Sequence, residues 1–530
     1  TAEFLTISAA VVPDREALVC GPSAEGRVTY SEMASRVNRL ANALQALGVE
    51  RGAAVAAMAV NSPQYVETYY ACAKLGATFV PLNYRAKREE LDYMVNASES
   101  QLLFVGERYL DLVGELRPKF GGVREYICYD PSTSLRAGSS AQDMHAYDEL
   151  LAGAPDHELF VDIDENDASI LIYTSGTTAL PKGVVLTYLT LSVYVTNTMN
   201  PADPTAERDV TLLSVPIYHV AGATAIMSSI WGGRTLAMLP QFDPEAWLET
   251  VQRERVTHAF VVPTMLKRIM EHPRFRDYDL GSLKLITYGA APMPYEVVRK
   301  AVDAFDCGLM NAYGQTESTS TLTYLGPDDH DIPKDDGPER EKKLRRLRSV
   351  GRVMEDITIA IMDESNEQLP PGEEGEICVA GPRVMREYYK QAEETAQAII
   401  DGWLHTGDVG YLDGDGYLFI TGRKKDMIIR GGENISSGEI EDVLEQHPAV
   451  EEAAVIGVPD PDWGEVVKAV VVLADGQRST PDEIIAYCKE RLASYKAPAY
   501  VALVDELPRN PLGKLLKTDL RKQHGEPANT

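Results

Sequence analysis

An apolar segment, Ser169-Ile170-Leu171-Ile172, runs into the polar stretch Tyr173-Thr174-Ser175-Gly176-Thr177-Thr178-Ala179-Leu180-Pro181-Lys182-Gly183. A strand that feeds a turn rich in Ser, Thr and Gly presents backbone N–H groups and hydroxyls to an anion, and a lysine adds positive charge. A short run of this kind is usually a polar surface turn, but this one is long and dense. The stretch therefore predicts a polyphosphate-binding loop.

This loop differs from the P-loop of Walker-type NTPases. The P-loop pattern needs a second Gly directly before the Lys and a Ser or Thr directly after it. Pro181 and Gly183 occupy those two positions here. A Walker-type NTPase is therefore disfavoured.

The length and charge of the chain limit its architecture and its partners. At 530 residues it exceeds what one hydrophobic core usually supports, so we expect a large and a smaller domain. Its 80 acidic and 51 basic residues give a formal charge of −29. Such a field repels nucleic acid and anionic membranes, so we expect neither as a partner.

The cysteines and the apolar segments indicate a cytoplasmic protein. The six cysteines are scattered, with no CxxC pair and no Cys/His cluster at metal-ligand spacing, which favours a reducing compartment. The first residues lack the basic and apolar segments of a secretory leader. The longest apolar stretch, 216–240, is interrupted by His219 and Arg234, so we predict a buried helix lining a site and no transmembrane segment.

The hydrophobic pattern predicts an α/β fold in two parts. Residues 53–82 predict a strand, a helix with Ser62 as N-cap and Pro63 in its first turn, and a second strand. This βαβ pattern recurs and predicts a large N-terminal domain of layered α/β subdomains over 1–422. After a hinge at 423–426, we predict a small mobile α+β C-terminal domain over 427–530, in which Ser436 with Glu439, and the run 480–483, form capping boxes.

Two charged segments are interpreted as surface structure and not as binding sites. The stretch 327–348 is acidic and then basic, and we favour a solvated loop with a short helix over a basic patch for CoA phosphate or for a partner. Asp413-Gly414-Asp415-Gly416 lacks the further ligands of a calcium loop and predicts a hairpin turn.

Four further motifs follow the polar loop along the chain. They are Asn311-Ala312-Tyr313-Gly314-Gln315-Thr316-Glu317, Thr406-Gly407-Asp408, Thr421-Gly422-Arg423-Lys424-Lys425-Asp426 and Asn510-Pro511-Leu512-Gly513-Lys514. With the loop, they resemble in type and order the signatures of the adenylate-forming superfamily, which contains acyl- and aryl-CoA synthetases, nonribosomal peptide adenylation domains and luciferases. The chain is most similar to AMP-forming fatty-acyl- or aryl-CoA synthetases.

The resemblance implies a site for ATP and Mg²⁺. It assigns catalytic roles to Lys514, Lys182, Thr316 and Glu317, with Thr174 and Glu317 holding the metal. Lys514 would bridge the substrate carboxylate and the α-phosphate. The implied ATP- and AMP-binding residues are Thr174, Ser175, Gly176, Thr177, Thr178, Lys182, Ala290, Ala291, Asn311, Ala312, Tyr313, Gly314, Thr316, Asp408, Arg423 and Lys514.

The resemblance also implies an acyl pocket, a CoA channel and a hinge. The implied pocket residues are Tyr218, His219, Ala221, Ala225, Tyr288, Gly289 and Gly314. Ala221 and Ala225 stand where related ligases carry larger residues, which suggests a roomy, apolar pocket. Gly431, Gly432 and Glu433 would line the CoA channel, and Lys425 would be the hinge residue.

These features together predict an AMP-forming acyl-CoA synthetase, an acid-thiol ligase that uses ATP, Mg²⁺ and CoA. Its acid would be medium- or long-chain, or bulky and cyclic or aromatic. One alternative is an acyl-adenylating enzyme that loads a separate carrier protein. Another is a catalytically silent ATP-binding regulatory protein. Small molecules are the expected partners, and a homodimer is compatible with the sequence.

Overall fold

A computed structural model describes residues 1–21, 26–129, 143–174, 180–431, 433–509 and 515–528. Several predicted site residues lie outside these ranges: Ser175, Gly176, Thr177, Thr178, Gly432 and Lys514.

The strands, in chain order, are β1 (Glu16–Cys20), β2 (Arg27–Thr29), β3 (Ala54–Met58), β4 (Thr78–Pro81), β5 (Leu102–Val105), β6 (Glu125–Cys128), β7 (His145–Ala146), β8 (Ala168–Thr174), β9 (Lys182–Thr187), β10 (Val210–Leu213), β11 (Thr235–Met238), β12 (His258–Val261), β13 (Leu285–Gly289), β14 (Gly308–Gln315), β15 (Ser320–Leu325), β16 (Arg352–Val353), β17 (Thr358–Met362), β18 (Gly375–Ala380), β19 (Glu387–Tyr388), β20 (Ile399–Ile400), β21 (Trp403–Leu412), β22 (Leu418–Arg423), β23 (Ile428–Arg430), β24 (Glu433–Ile435), β25 (Val450–Asp460), β26 (Gly464–Leu473) and β27 (Tyr500–Val504).

The α-helices are α1 (Ala2–Val11), α2 (Tyr30–Ala46), α3 (Pro63–Lys74), α4 (Arg88–Ala97), α5 (Leu110–Leu116), α6 (Tyr147–Gly153), α7 (Tyr188–Thr198), α8 (Val220–Trp231), α9 (Pro244–Glu254), α10 (Pro263–Met270), α11 (Tyr295–Ala304), α12 (Pro327–His330), α13 (Pro338–Arg346), α14 (Ala392–Ala398), α15 (Ser437–Leu444), α16 (Pro481–Lys489) and α17 (Lys517–His524). Within the described ranges, no helix combines the length and the apolar character needed to cross a bilayer.

Two large, mostly parallel sheets form the body of the molecule. One has the strand order β16-β15-β14-β13-β12-β10-β11-β1-β2 and the other β19-β9-β8-β4-β3-β5-β6-β7. A single buried cluster joins them through α2, α3 and α8. This layered arrangement confirms the predicted α/β class.

Two smaller sheets complete the fold. One has the order β17-β18-β21-β20 with β22 beside β21, and the other has β24-β23-β26-β25 with β27 beside β26. β22 ends at Arg423 and the last sheet begins at Ile428, so the chain changes sheets across 424–427. The large N-terminal part and the small C-terminal α+β part agree with the predicted fold, while the boundaries 1–422, 423–426 and 427–530 stay a prediction.

Local sequence signals account for the first βαβ unit. The Ser62 hydroxyl accepts a hydrogen bond from the Tyr65 N–H, and Pro63 begins α3. Gly76 follows the helix with φ +66°, a left-handed conformation that glycine adopts without strain. β3 and β4 then pair in parallel. The predicted strand, helix and strand are confirmed.

One of the two predicted capping boxes is wrong. Thr480 and Glu483 form theirs at α16 as expected. Ser436 does not cap α15 with its side chain, because its hydroxyl donates to the Thr421 carbonyl of β22. Glu439 instead pairs with Lys496 at 2.6 Å. Packing of α15 against β22 therefore overrides the local signal.

The charged segment 327–348 forms α12 and α13, and α13 has no buried residue, as the solvated interpretation predicts. Its cations are paired: Lys342 with Asp415 at 3.0 Å, and Arg345 with Asp413 at 3.0 Å. The two aspartates lie in the turn between the antiparallel strands β21 and β22, where a hairpin turn is predicted. The segment is therefore a surface helix bound to a neighbouring hairpin.

Candidate active site

Asp408 is the centre of a buried polar cluster. Its Oδ2 accepts hydrogen bonds from the Tyr313 hydroxyl at 2.7 Å and from Gln315 Nε2 at 2.8 Å. Its Oδ1 lies 3.0 Å from Arg423 Nε. The carboxylate is only 3% exposed and would be costly to bury without these partners. The cluster thus presents a carboxylate whose orientation is fixed by three side chains.

A tight turn follows this cluster between β14 and β15. A Cβ atom on Gly314 would lie 1.7 Å from the Ser320 carbonyl oxygen, so only glycine fits there. Thr319 and Ser320 have φ values of 52° and 77°, which are strained for residues with side chains. Such strain often accompanies functional sites, and here the turn places Thr316 and Glu317 immediately after the Asp408 partners.

Glu317 and Lys182 form a second polar cluster around Tyr388. The Tyr388 hydroxyl donates to Glu317 Oε1 at 3.0 Å. Lys182 Nζ lies 4.8 Å from the centre of the Tyr388 ring, within cation–π range. Burial, together with the charge of Glu317, raises the pKa of Tyr388, which keeps the phenol a donor. Tyr388 therefore contacts both the predicted phosphate lysine and the predicted metal carboxylate.

The strand pairing explains how these residues meet. β8 and β9 form an antiparallel pair in which Thr174 lies opposite Lys182. β19 adds to the free side of β9, with Tyr388 opposite Val184. The Met385 N–H donates to the Glu317 carbonyl at 2.7 Å and holds the turn against β19. Thr174, Lys182 and Glu317 are thereby gathered at one place.

The predicted acyl-pocket residues come from α8, β13 and β14. Ala221 and Ala225 are half-buried and lie one turn apart on the same face of α8. His219 caps this helix, with Nδ1 accepting from the Ala221 N–H at 3.4 Å. A Cβ on Gly289 would lie 2.1 Å from the Ala312 carbonyl oxygen, so β13 and β14 approach closely there. The assignment of a pocket to these residues stays a prediction.

Two of the predicted pocket residues, Tyr218 and Tyr288, are buried aromatic side chains. Tyr218 is buried and packs edge-to-face on Tyr84, with ring centres 5.3 Å apart. Tyr288 is buried, and its hydroxyl lies 2.8 Å from His330 Nε2. The place of both side chains in the predicted pocket stays a prediction.

The remaining predicted nucleotide-binding residues lie in β14 or directly after β13 or β14. Asn311, Ala312 and Thr316 are buried, Gly314 and Ala291 are half-buried, and Ala290 is exposed. Ala290 has φ +65°, an uncommon value for a residue with a Cβ, at the point where the chain leaves β13.

The predicted CoA-channel segment is a hairpin of the small sheet. β23 and β24 pair so that Arg430 lies opposite Glu433. Gly431 and Glu433 are exposed, and Gly431 has φ +59° with the Trp463 indole 2.8 Å from where a Cβ would be. Among the described residues, neither Gly431 nor Glu433 makes a hydrogen bond or an ion pair with the Asp408 or Glu317 cluster. The predicted hinge residue, Lys425, lies in the single turn Lys424–Asp426.

Sequence reasoning missed Gln315 and Tyr388. Gln315 lies inside the motif 311–317, and that position was a signal in the sequence that could have identified it. Its amide also donates to the Thr406 carbonyl at 3.0 Å. Tyr388 lies in no motif that we identified and joins the site only through strand pairing.

We expect Tyr388→Phe to weaken metal binding rather than folding. The change removes one hydrogen bond to a carboxylate, so adenylation at limiting Mg²⁺ should fall about ten-fold and recover at saturating Mg²⁺. Pyrophosphate release measured against Mg²⁺ concentration tests this. Tyr389→Phe is the matched control and should leave the Mg²⁺ dependence unchanged. A loss that is equal at all Mg²⁺ concentrations would contradict the positioning role.

We expect Ala221→Trp to shorten the acid that the protein accepts without changing its affinity for ATP. An indole on the half-buried face of α8 would fill space that the predicted pocket offers to the acyl group. Activity against a series of acids of increasing length, with ATP binding measured in parallel, tests this. The same enlargement at Ala246, a half-buried alanine of α9 outside the predicted pocket, reports the effect of tryptophan on folding alone. Unchanged acid preference in Ala221→Trp would contradict the pocket assignment.

Comparison with protein families gives two matches. The model described as AMP-binding enzyme matches residues 5–389, and the model described as AMP-binding enzyme C-terminal domain matches residues 439–514. Together they cover most of the chain. The first match contains every residue of the two polar clusters except Asp408 and Arg423, which lie between the two matches.

Individual proteins resemble the chain over nearly its whole length. A feruloyl-CoA synthase from Amycolatopsis sp is 39% identical over 94% of this chain and 94% of its own. An indoleacetate–CoA ligase from Aromatoleum aromaticum is 34% identical over 94% of this chain and 93% of its own. Among solved structures, the amide bond synthetase McbA from Marinactinospora thermotolerans superposes with a TM-score of 0.86 at 29% identity, covering 99% of each chain.

Proposed function

Since the chain belongs to the AMP-binding enzymes of the adenylate-forming superfamily, we propose that it is an AMP-forming acyl-CoA synthetase for a bulky, largely apolar carboxylic acid. In such a reaction the carboxylate attacks the α-phosphorus of ATP and releases pyrophosphate. The CoA thiol then attacks the acyl carbon, and AMP leaves.

The observation that carries this proposal is the segment 313–317, which joins the two polar clusters. Tyr313 donates to the buried Asp408, and Glu317 accepts from Tyr388 beside Lys182. A nucleoside triphosphate has ribose hydroxyls at one end and phosphates at the other. The Asp408 carboxylate suits the hydroxyls, and Lys182 with Glu317 suits the phosphates and their metal. The arrangement supports adenylation, in which charge stabilisation carries most of the catalysis.

The donor atoms at the second cluster suit Mg²⁺. Glu317 offers a carboxylate and Thr174 a hydroxyl, and hard oxygen ligands of this kind are what Mg²⁺ prefers. When bound, the ion would neutralise negative charge on the polyphosphate. Lys182 would add its own charge at the phosphates, while Tyr388 keeps Glu317 in place.

An aromatic acid is the favoured substrate class. Two of the relatives, the feruloyl-CoA synthase and the indoleacetate–CoA ligase, are named for acids that carry rings. Small side chains at Ala221 and Ala225 on one face of α8 are consistent with a ring at this wall. The medium- and long-chain fatty acids that the sequence also predicts are the substrates against which aromatic acids should be compared.

One observation supports a second candidate function, in which a group other than the CoA thiol accepts the acyl moiety. The structural neighbour McbA is named an amide bond synthetase, and its fold matches this chain over 99% of both. An amine, or the thiol of a carrier protein, would then take the acyl group in place of CoA.

One experiment separates these possibilities. Pyrophosphate release is measured over a panel of aryl, alicyclic and fatty acids, and products are identified by mass with CoA, with a primary amine or with a carrier protein. We expect adenylate formation with aryl acids and thioester only when CoA is present. Adenylate that turns over only with amine or carrier would replace the CoA assignment, and an absence of pyrophosphate release with every acid would exclude the proposed function.

A further inference from the structure

A third group of polar side chains lies on the sheet with the strand order β17-β18-β21-β20. Cys378 on β18 is directly opposite His405 on β21, and its Sγ lies 3.5 Å from His405 Nδ1. Glu376, two residues earlier on β18, places Oε2 at 3.1 Å from the same nitrogen. Cys378 is fully buried, and the side chains of Glu376 and His405 are only 10% and 9% exposed.

These distances match the edges of a tetrahedral metal site. With metal–sulfur bonds of about 2.3 Å and metal–nitrogen or metal–oxygen bonds of about 2.0 Å, tetrahedral ligands lie about 3.5 Å (S to N) and about 3.3 Å (N to O) apart. The observed separations of 3.5 and 3.1 Å need little adjustment. All three ligand atoms lie within 4.8 Å of one another.

We propose that Glu376, Cys378 and His405 form a binding site for a zinc-type divalent cation, with water in the fourth position. A thiolate, an imidazole and a carboxylate are ligands that Zn²⁺ and Co²⁺ accept, whereas Mg²⁺ prefers oxygen alone. The Gly407 N–H donates to Glu376 Oε1 at 3.2 Å and orients the carboxylate, as the surrounding groups of metal sites commonly do. The argument for this site does not rest on the proposed CoA ligase activity.

Lys424 competes with a cation at this site. Its Nζ lies 2.9 Å from Glu376 Oε2, the same oxygen that faces His405. A bound cation would displace the ammonium, which is 62% exposed and free to move into solvent. Because Lys424 begins the turn that contains Lys425, metal binding would also release a contact of the predicted hinge.

Titration of the full-length protein with Co²⁺ tests the proposal by absorption spectroscopy. We expect one equivalent to give a thiolate-to-cobalt charge-transfer band with tetrahedral visible bands, and Zn²⁺ to abolish both. Cys378→Ser should remove the charge-transfer band and weaken binding at least ten-fold, as expected for loss of a ligand. Cys307→Ser, which changes a half-buried cysteine outside the cluster, should retain the full spectrum.

A gain-of-binding variant excludes misfolding as an explanation. Lys424→Ala removes the competing ammonium, so its affinity for Co²⁺ should be about three- to five-fold tighter than that of the native protein. A charge-transfer band that persists in Cys378→Ser would overturn the proposal, and so would the absence of any such band in both the native protein and Lys424→Ala.

Discussion

Replacing Glu317 with glutamine should slow acyl-adenylate formation by about two orders of magnitude, or about 3 kcal/mol of activation free energy. Glutamine keeps the shape of the side chain but removes the charge that would hold Mg²⁺ beside the polyphosphate. The hydrogen bond from Tyr388 can still form to the amide oxygen, so the turn at 316–318 should persist. Pyrophosphate release at several Mg²⁺ concentrations measures the effect.

Glu387→Gln is the matched control for this prediction. Glu387 precedes Tyr388 on β19 but is 40% exposed and pairs with Arg386 at 2.8 Å. Its neutralisation should leave adenylation close to the native rate. Native rates in Glu317→Gln would refute the metal-binding assignment.

Lys514→Ala should nearly abolish adenylation, by about 100-fold or more, because a charge-assisted contact at the transition state is lost. The same variant should convert synthetic acyl-adenylate and CoA to thioester almost as fast as the native protein. The reason is that the predicted mobile C-terminal domain would have to reorient between the two steps, so that Lys514 withdraws before the Gly431 hairpin admits CoA. The two half-reactions are measured separately.

Two further variants complete that experiment. Lys425→Pro, which restricts the backbone at the predicted hinge, should impair thioester formation more than adenylation. Lys522→Ala changes a lysine of α17 that is 72% exposed and should affect neither step. Equal loss of both steps in Lys514→Ala would mean that the domains do not alternate, or that the variant folds poorly.

Structural features that depend only on residues a few positions apart in the chain were predictable from the sequence. The helix at 63–74 begins where Ser62 and Pro63 indicate, because N-cap hydrogen bonds and the fixed φ of proline act within a single turn. The capping box at Thr480 forms for the same reason. Ser436 shows the limit, since its hydroxyl finds a better partner in Thr421, fifteen residues away.

The order of the five motifs by itself determined the family and the adenylating chemistry, because each motif carries its side chains within a few residues. Only the tertiary structure decided which side chains complete the site. Tyr388 reaches Lys182 because β19 pairs with β9 across about two hundred residues, and Cys378 meets His405 because β18 pairs with β21. Strand pairing is set by which distant segments bury their apolar faces together, and the spacing of residues along the chain does not contain that information.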